Sequence, residues 1–212
     1  MTKKAEIARK ELPDSYQSTE IIDIAKQTGL AIGMNVVGIL LFLFSYFFFF
    51  RIVKDMRSDS AMQFFKVEGW IGFLWVLLGA VVFIVVLIFL HEAAHGLFFR
   101  IYTGEMPKFA VKLSYAYAAA PDWYIQRNAY LIIGAAPAVL ITLVGLFCCL
   151  FVHPSWLVGI VLFISLNFSS SVGDFYVLLR LMTKPADVYV KDVGDKMTFY
   201  QPVEKNSSVE LP

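Results

Sequence analysis

The sequence predicts an α-helical polytopic membrane protein with about four transmembrane helices. It also predicts a short β-strand or hairpin inserted after a helix that carries His91-Glu92-Ala93-Ala94-His95. Three observations predict this architecture. Of 212 residues 58% are hydrophobic and only 17% charged, whereas soluble domains hold roughly 45–50% apolar residues. Uncharged runs of the length needed to cross a hydrocarbon core about 30 Å thick recur along the chain. The lysines and arginines fall between those runs, unevenly on the two sides. A soluble globule would leave much of 20 Phe, 10 Tyr and 4 Trp in exposed patches. A net charge of +1 offers no footprint for nucleic acid.

Residues 1–29 are polar and of mixed charge, with Glu6, Glu11 and Asp14 beside the lysines. They do not read as a cleavable signal peptide and are expected to form a surface segment, partly helical. Residues 31–50 hold no ionisable group and end in Tyr46, Phe47, Phe48, Phe49 and Phe50, a lipid-facing run. The second span, 70–99, is free of charge as far as Leu90 and then enters the His91–His95 motif. In the stretch that follows, Phe109, Val111, Leu113, Tyr115 and Tyr117 alternate with Ala110, Lys112, Ser114, Ala116 and Ala118. That period of two reads as a strand, ended or turned by Pro121 and Asp122. Such a strand serves either as an edge that pairs with an extended peptide or as a hairpin that shields its surroundings from lipid.

The third span, 130–152, contains Pro137, either a kink or an ordinary membrane-helix proline. His153 and Pro154 turn the chain into the fourth span, 156–179, whose one acid is Asp174. The membrane domain thus covers 30–182. Residues 183–212 form a tail in which Asp192, Val193, Gly194 and Asp195 would turn a small hairpin. Cys148 and Cys149 are adjacent and cannot staple distant segments. With four spans, 14 Lys and Arg fall on the side of both termini and four on the other, which places both termini in the cytoplasm.

The chemistry is concentrated in the HExxH motif. Residues i and i+4 of a helix share a face, so His91 and His95 can reach one zinc ion. Glu92 projects about a third of a turn from His91, placed to act as general base toward water activated by that ion. Ionisable groups ending an uncharged membrane helix are costly and mark function. A third ligand must come from elsewhere. His153 falls at the far end of the spans. Asp174 falls at the same depth as the motif, because the fourth span runs back toward the side where the second one exits. It is either the third ligand or a buried acid paired with Arg180 or Lys184. Asn167 and Ser171 stand with it at i, i+4 and i+7, a polar stripe along one face.

This order of parts resembles the intramembrane site-two-protease-like zinc peptidases. It resembles more closely a small bacterial family of membrane proteins described as putative zincin peptidases, over roughly residues 70–200. The resemblance implies Zn2+ held by His91, His95 and Asp174, with Glu92 as catalytic base. It implies that Asn167, and Ser171 on the same stripe, position substrate. Ser170 stands where a proline is usual in site-two proteases. The implied protein is integral to a bacterial cell membrane and cleaves a peptide or membrane-protein substrate. The alternative is a non-catalytic zinc-binding membrane protein, such as a sensor, transporter component or chaperone, which would be indifferent to replacement of Glu92.

Overall fold

The computed structural model describes residues 7–23, 26–58, 68–112 and 115–203. Apolar runs set the first long helices: α1 (Thr28–Met56), α2 (Gly69–Thr103) and α3 (Arg127–Cys149). Each is long and apolar enough to cross a bilayer. The helix α1 extends past the predicted 50 to Met56, and Arg51 and Asp55 pair along its surface one turn apart. At 35 residues, α2 is about 52 Å long. Its first half turns Trp70, Ile71, Phe73, Leu74 and Trp75 outward. The helix stops at Gly104, whose φ of 78° accepts a left-handed cap and whose N–H donates to the Arg100 carbonyl.

The fourth span, expected over 156–179, is broken into α4 (Pro154–Ser170) and α5 (Val172–Met182), bent by 44°. The cause is local. Ser170 and Ser171 both turn their hydroxyls back onto the Asn167 carbonyl, at 2.8 and 3.1 Å, and such back-bonding bends helices. Pro154 opens α4 at a position that needs no N–H, and His153 caps it by accepting the Ser155 N–H. His153 therefore serves a helix end.

The N-terminal segment carries strands between residues 8 and 23, β1 (Ala8–Arg9) and β2 (Tyr16–Asp23); Ile7 is helical, and residues 1–6 lie outside the described residues. Thr19, Ile21 and Ile22 favour a strand, and β2 finds an antiparallel partner far along the chain, in the tail. With β5 (Tyr124–Gln126), β6 (Tyr189–Asp192) and β7 (Lys196–Pro202) they make an antiparallel sheet ordered β1-β5-β6-β7-β2. The expected tail hairpin is present as β6 and β7, but as the middle of this sheet. Ile22, Ile125, Val190 and Phe199 turn inward from it onto Phe99, Tyr130, Ile133, Val177 and Leu181 of the helices. That cluster, burying whole side chains at roughly 25 cal/mol per Å², locks the sheet onto one end of the helices.

Of the strand and the hairpin expected after α2, the structure has the hairpin. β3 (Lys108–Val111) pairs with β4 (Ala116–Ala119) in antiparallel register, Phe109 opposite Ala118. The alternation in the sequence is real on both arms. The chain reverses between them, where the Lys112 N–H donates to the Tyr115 carbonyl; residues 113 and 114 lie outside the described residues. The Lys112 ammonium meets Asp195 at 2.7 Å and so ties this hairpin to the β6–β7 turn. Gly194 makes the closest approach. Its φ is +99°, and a Cβ there would run into the Tyr117 ring. Gly194→Ala is expected to cost about 1–3 kcal/mol through backbone strain alone. The measurement is thermal unfolding in detergent, and an unchanged melting temperature would contradict this account of the turn.

Candidate metal centre

Twenty-two residues into α2, His91 begins the last buried stretch of that helix, and His95 follows one turn later on the same face. Small residues on α3 (Gly134, Ala136 and Ala138) bring its backbone close. A Cβ on Gly134 would sit 2.7 Å from Leu178 of α5. The bend at Ser171 then aims Asp174 between the two imidazoles. Its Oδ2 is 3.3 Å from His91 Nε2 and its Oδ1 is 3.4 Å from His95 Nε2.

Those spacings fit a metal better than a direct bond. A charge-assisted N–H···O contact closes to about 2.7–2.9 Å. Ligands on a tetrahedral ion with bonds near 2.0–2.1 Å stand about 3.3–3.4 Å apart. Among the described residues, His91, His95 and Asp174 form a group whose three ligand atoms lie within 4.8 Å of one another.

The far sides of both rings are engaged by acceptors. His95 Nδ1 is 2.9 Å from the Ile133 carbonyl. A carbonyl only accepts, so Nδ1 carries the hydrogen and the neutral ring keeps its lone pair on Nε2, the atom facing Asp174. His91 Nδ1 is 3.0 Å from Asn167 Oδ1. The Asn167 amide is oriented in turn by donating from Nδ2 to the Pro137 carbonyl at 3.0 Å. Both rings are therefore held in the tautomer that ligates through Nε2, the usual role of partners behind metal-binding histidines. The donor set fits zinc.

Asp174 does not pair with the two cations named as its alternative partners. Arg180 and Lys184 instead meet Glu20 of β2, at 2.7 and 2.6 Å. Burial would raise the Glu20 carboxyl, but these two cations hold it below its ordinary value. Asn167 and Ser171 were expected to position substrate. Both are fully buried, and neither is among the described residues lining the cavity at the site. Asn167 orients His91, and Ser171 shapes the helix break. Two local features account for this: a membrane-buried amide is costly unless bonded, and Pro137 offers it an acceptor.

Glu92 lies beside the ligands, with its Oε2 accepting the Ala118 N–H of β4 at 2.7 Å. Because that N–H points away from β3, the outer edge of β4 carries the backbone groups of Ala116 and Ala118. No further strand covers that edge among the described residues. A cavity of about 570 Å³ opens along it. His91, Glu92, His95 and Asp174 form one wall, Phe99, Ile133, Val177 and Leu178 an apolar one. Three contributors were not singled out from sequence. Asn35 of α1 lines the cavity, and a lone amide within the uncharged run 31–50 was its available signal. Tyr130 and Asp192 also line it, the Tyr130 hydroxyl donating to Asp192 Oδ2 at 2.6 Å. No local pattern announces that pair, since its members are 62 residues apart.

Burial pushes the Asp192 carboxyl up to about 6 from its ordinary 3.8, against the opposing pull of the Tyr130 hydroxyl and the Gly194 N–H. A folded-state value above the unfolded one contributes stability at low pH that is lost as pH climbs from 3.8 through about 6. Asp192→Asn is therefore expected to flatten the melting temperature across that interval. A fall of the same size in the variant would show that another group is responsible.

An HExxH helix that gathers a distant aspartate beneath a glutamate held by an edge strand defines a zincin-type, metallopeptidase-like site. It stands in a mainly helical chain with three helices able to span a bilayer among the described residues, or four if the bent pair counts as one. The chain belongs to the family described as putative zincin peptidase, which matches residues 84–189. That range holds the part of α2 that carries the motif, the β3–β4 hairpin, α3, and Asp174 on α5. Comparison with curated proteins and with solved structures returns no match.

Proposed function

We propose that the protein is a membrane-embedded zinc metallopeptidase that hydrolyses peptide bonds near the cytoplasmic face of a bacterial cell membrane. The observation that carries this is the convergence of His91, His95 and Asp174, whose ligand atoms lie within 4.8 Å of one another, with Glu92 beside them. The excess of Lys and Arg on the side of the termini, 14 against four, supports the orientation. Zinc bound there supplies Lewis acidity, polarising a carbonyl and bringing the pKa of water to about 7.

The chain's own residues do the rest. His91, His95 and Asp174 hold the ion, with Asn167 and the Ile133 carbonyl keeping the rings aimed. Glu92 takes a proton from the attacking water and delivers it to the amine nitrogen as the C–N bond breaks. The Ala118 N–H fixes one carboxylate oxygen and leaves the other for that proton. Ala116 and the Ala118 carbonyl, on the open edge of β4, offer main-chain partners to an extended substrate. The substrate is a peptide or an unwound segment of a membrane protein, since a helix keeps its own backbone groups paired.

The test is metal analysis of the purified full chain in detergent, followed by chelation and refilling. About one zinc per chain is expected, lost to chelator and regained with zinc. Less than about 0.2 zinc per chain, unchanged by His91→Ala, would remove the metal site and the reading with it. Peptide termini in membranes from cells producing the wild type or Glu92→Gln would then identify the cleaved bonds.

A further inference from the structure

Both hydrogen bonds behind the metal-binding rings run through one residue. In a regular helix the N–H of residue 137 would donate to the carbonyl four residues back, at 133. Residue 137 is proline, inside α3, and proline has no N–H. The Ile133 carbonyl is thereby released from the helix ladder, and it is this carbonyl that lies 2.9 Å from His95 Nδ1. The second bond starts from the same residue. The Pro137 carbonyl accepts from Asn167 Nδ2 at 3.0 Å, which turns Asn167 Oδ1 toward His91 Nδ1, also at 3.0 Å. One wall of the site is thus built from a gap in a helix: the vacated acceptor orients one ligand and the proline's own carbonyl orients the other.

We infer that Pro137 is a positioning residue of the metal centre, acting through its missing N–H on His95 and through its carbonyl and Asn167 on His91. The inference rests on the zinc reading above and assigns Pro137 no contact with substrate. The alternative is that the ring merely kinks α3 for packing. The two differ in what an N–H at position 137 does. Alanine restores the N–H, which then competes with His95 for the Ile133 carbonyl. Lactic acid at the same position, introduced by nonsense suppression, keeps a chain without N–H and without the ring.

The experiment measures zinc affinity of the full-length protein in detergent by competition with a chelator of known affinity. It also records the visible absorption of the cobalt-substituted protein, which reports coordination geometry. Pro137→Ala is expected to weaken zinc binding about 10–100-fold, the usual cost of losing a partner behind a ligand, and to alter the cobalt spectrum. Its metal-free melting temperature should not fall, because alanine suits a helix interior better than proline. Replacement by lactic acid should leave affinity and spectrum close to wild type. Unchanged zinc affinity and spectrum in Pro137→Ala would overturn the inference. So would equal weakening by alanine and lactic acid, which would assign the effect to the ring. Should the alanine variant fail to fold, the lactic acid protein decides alone: wild-type affinity supports the role and weakened affinity refutes it. A wild type that binds no zinc at all fails the metallopeptidase reading itself, a distinguishable result.

Discussion

Glu92→Gln is expected to leave zinc content at the wild-type level while lowering peptide hydrolysis by about 10²–10⁴-fold, the contribution of a positioned general base. The substitution is nearly isosteric, and the amide oxygen of glutamine can still accept the Ala118 N–H that Glu92 Oε2 accepts at 2.7 Å. The β4 edge should therefore stay in place. The three ligand atoms belong to His91, His95 and Asp174, and none to Glu92. What the variant loses is a carboxylate able to take and return a proton. Zinc analysis and cleavage assayed on the same preparation check both halves. Undiminished cleavage would move the base elsewhere. Lost zinc would make Glu92 a ligand.

Asp174→Ala has the second large expected effect, and it falls on the metal itself. Structural zinc in small domains is held with about 10–16 kcal/mol spread over four ligands, so loss of one carboxylate should weaken binding on the order of a hundredfold or more. The side chain lies between the two Nε2 atoms, at 3.3 and 3.4 Å, and its removal leaves two histidines on adjacent turns with nothing opposite. The matching control is Lys184→Ala. Lys184 pairs with Glu20 at 2.6 Å, so this variant should loosen β2 from the end of α5 and leave zinc affinity unchanged. Chelator competition on both variants makes the comparison. Full zinc retention in Asp174→Ala would require another third ligand.

Much of this site was legible in the chain because its strongest signals are local. The HExxH spacing depends only on helical periodicity. The equal depth of His91 and Asp174 depends only on counting residues along antiparallel spans. The hairpin after α2 was half legible: alternation marks strand residues, yet it is the same for one strand as for two joined by a turn. The partners of Asn167 were not legible for a related reason. A polar stripe on a helix shows that side chains share a face, and nothing in it says whether that face meets a cavity or a neighbouring backbone carbonyl. Asp174 illustrates the converse, since Arg180 and Lys184 sit near it in sequence but turn to a glutamate 160 residues from Arg180.

The sequence by itself determined that helices able to span a bilayer dominate, that one carries a metal-ligand pair with a glutamate beside it, and that an acid returns to the same depth. Transfer of apolar side chains from water and the pitch of a helix are properties of short segments, and they act whatever the rest of the chain does. Only the tertiary structure decided that residues 8–23 join the tail in one sheet. It also decided that a carbonyl released by Pro137 aims His95, and that Tyr130 and Asp192 pair at the cavity. These outcomes turn on which donor meets which acceptor across 38 to 186 residues of chain. Such pairing follows from the way apolar surfaces stack and from the cost of leaving a polar atom unpaired, and neither is written in any local run.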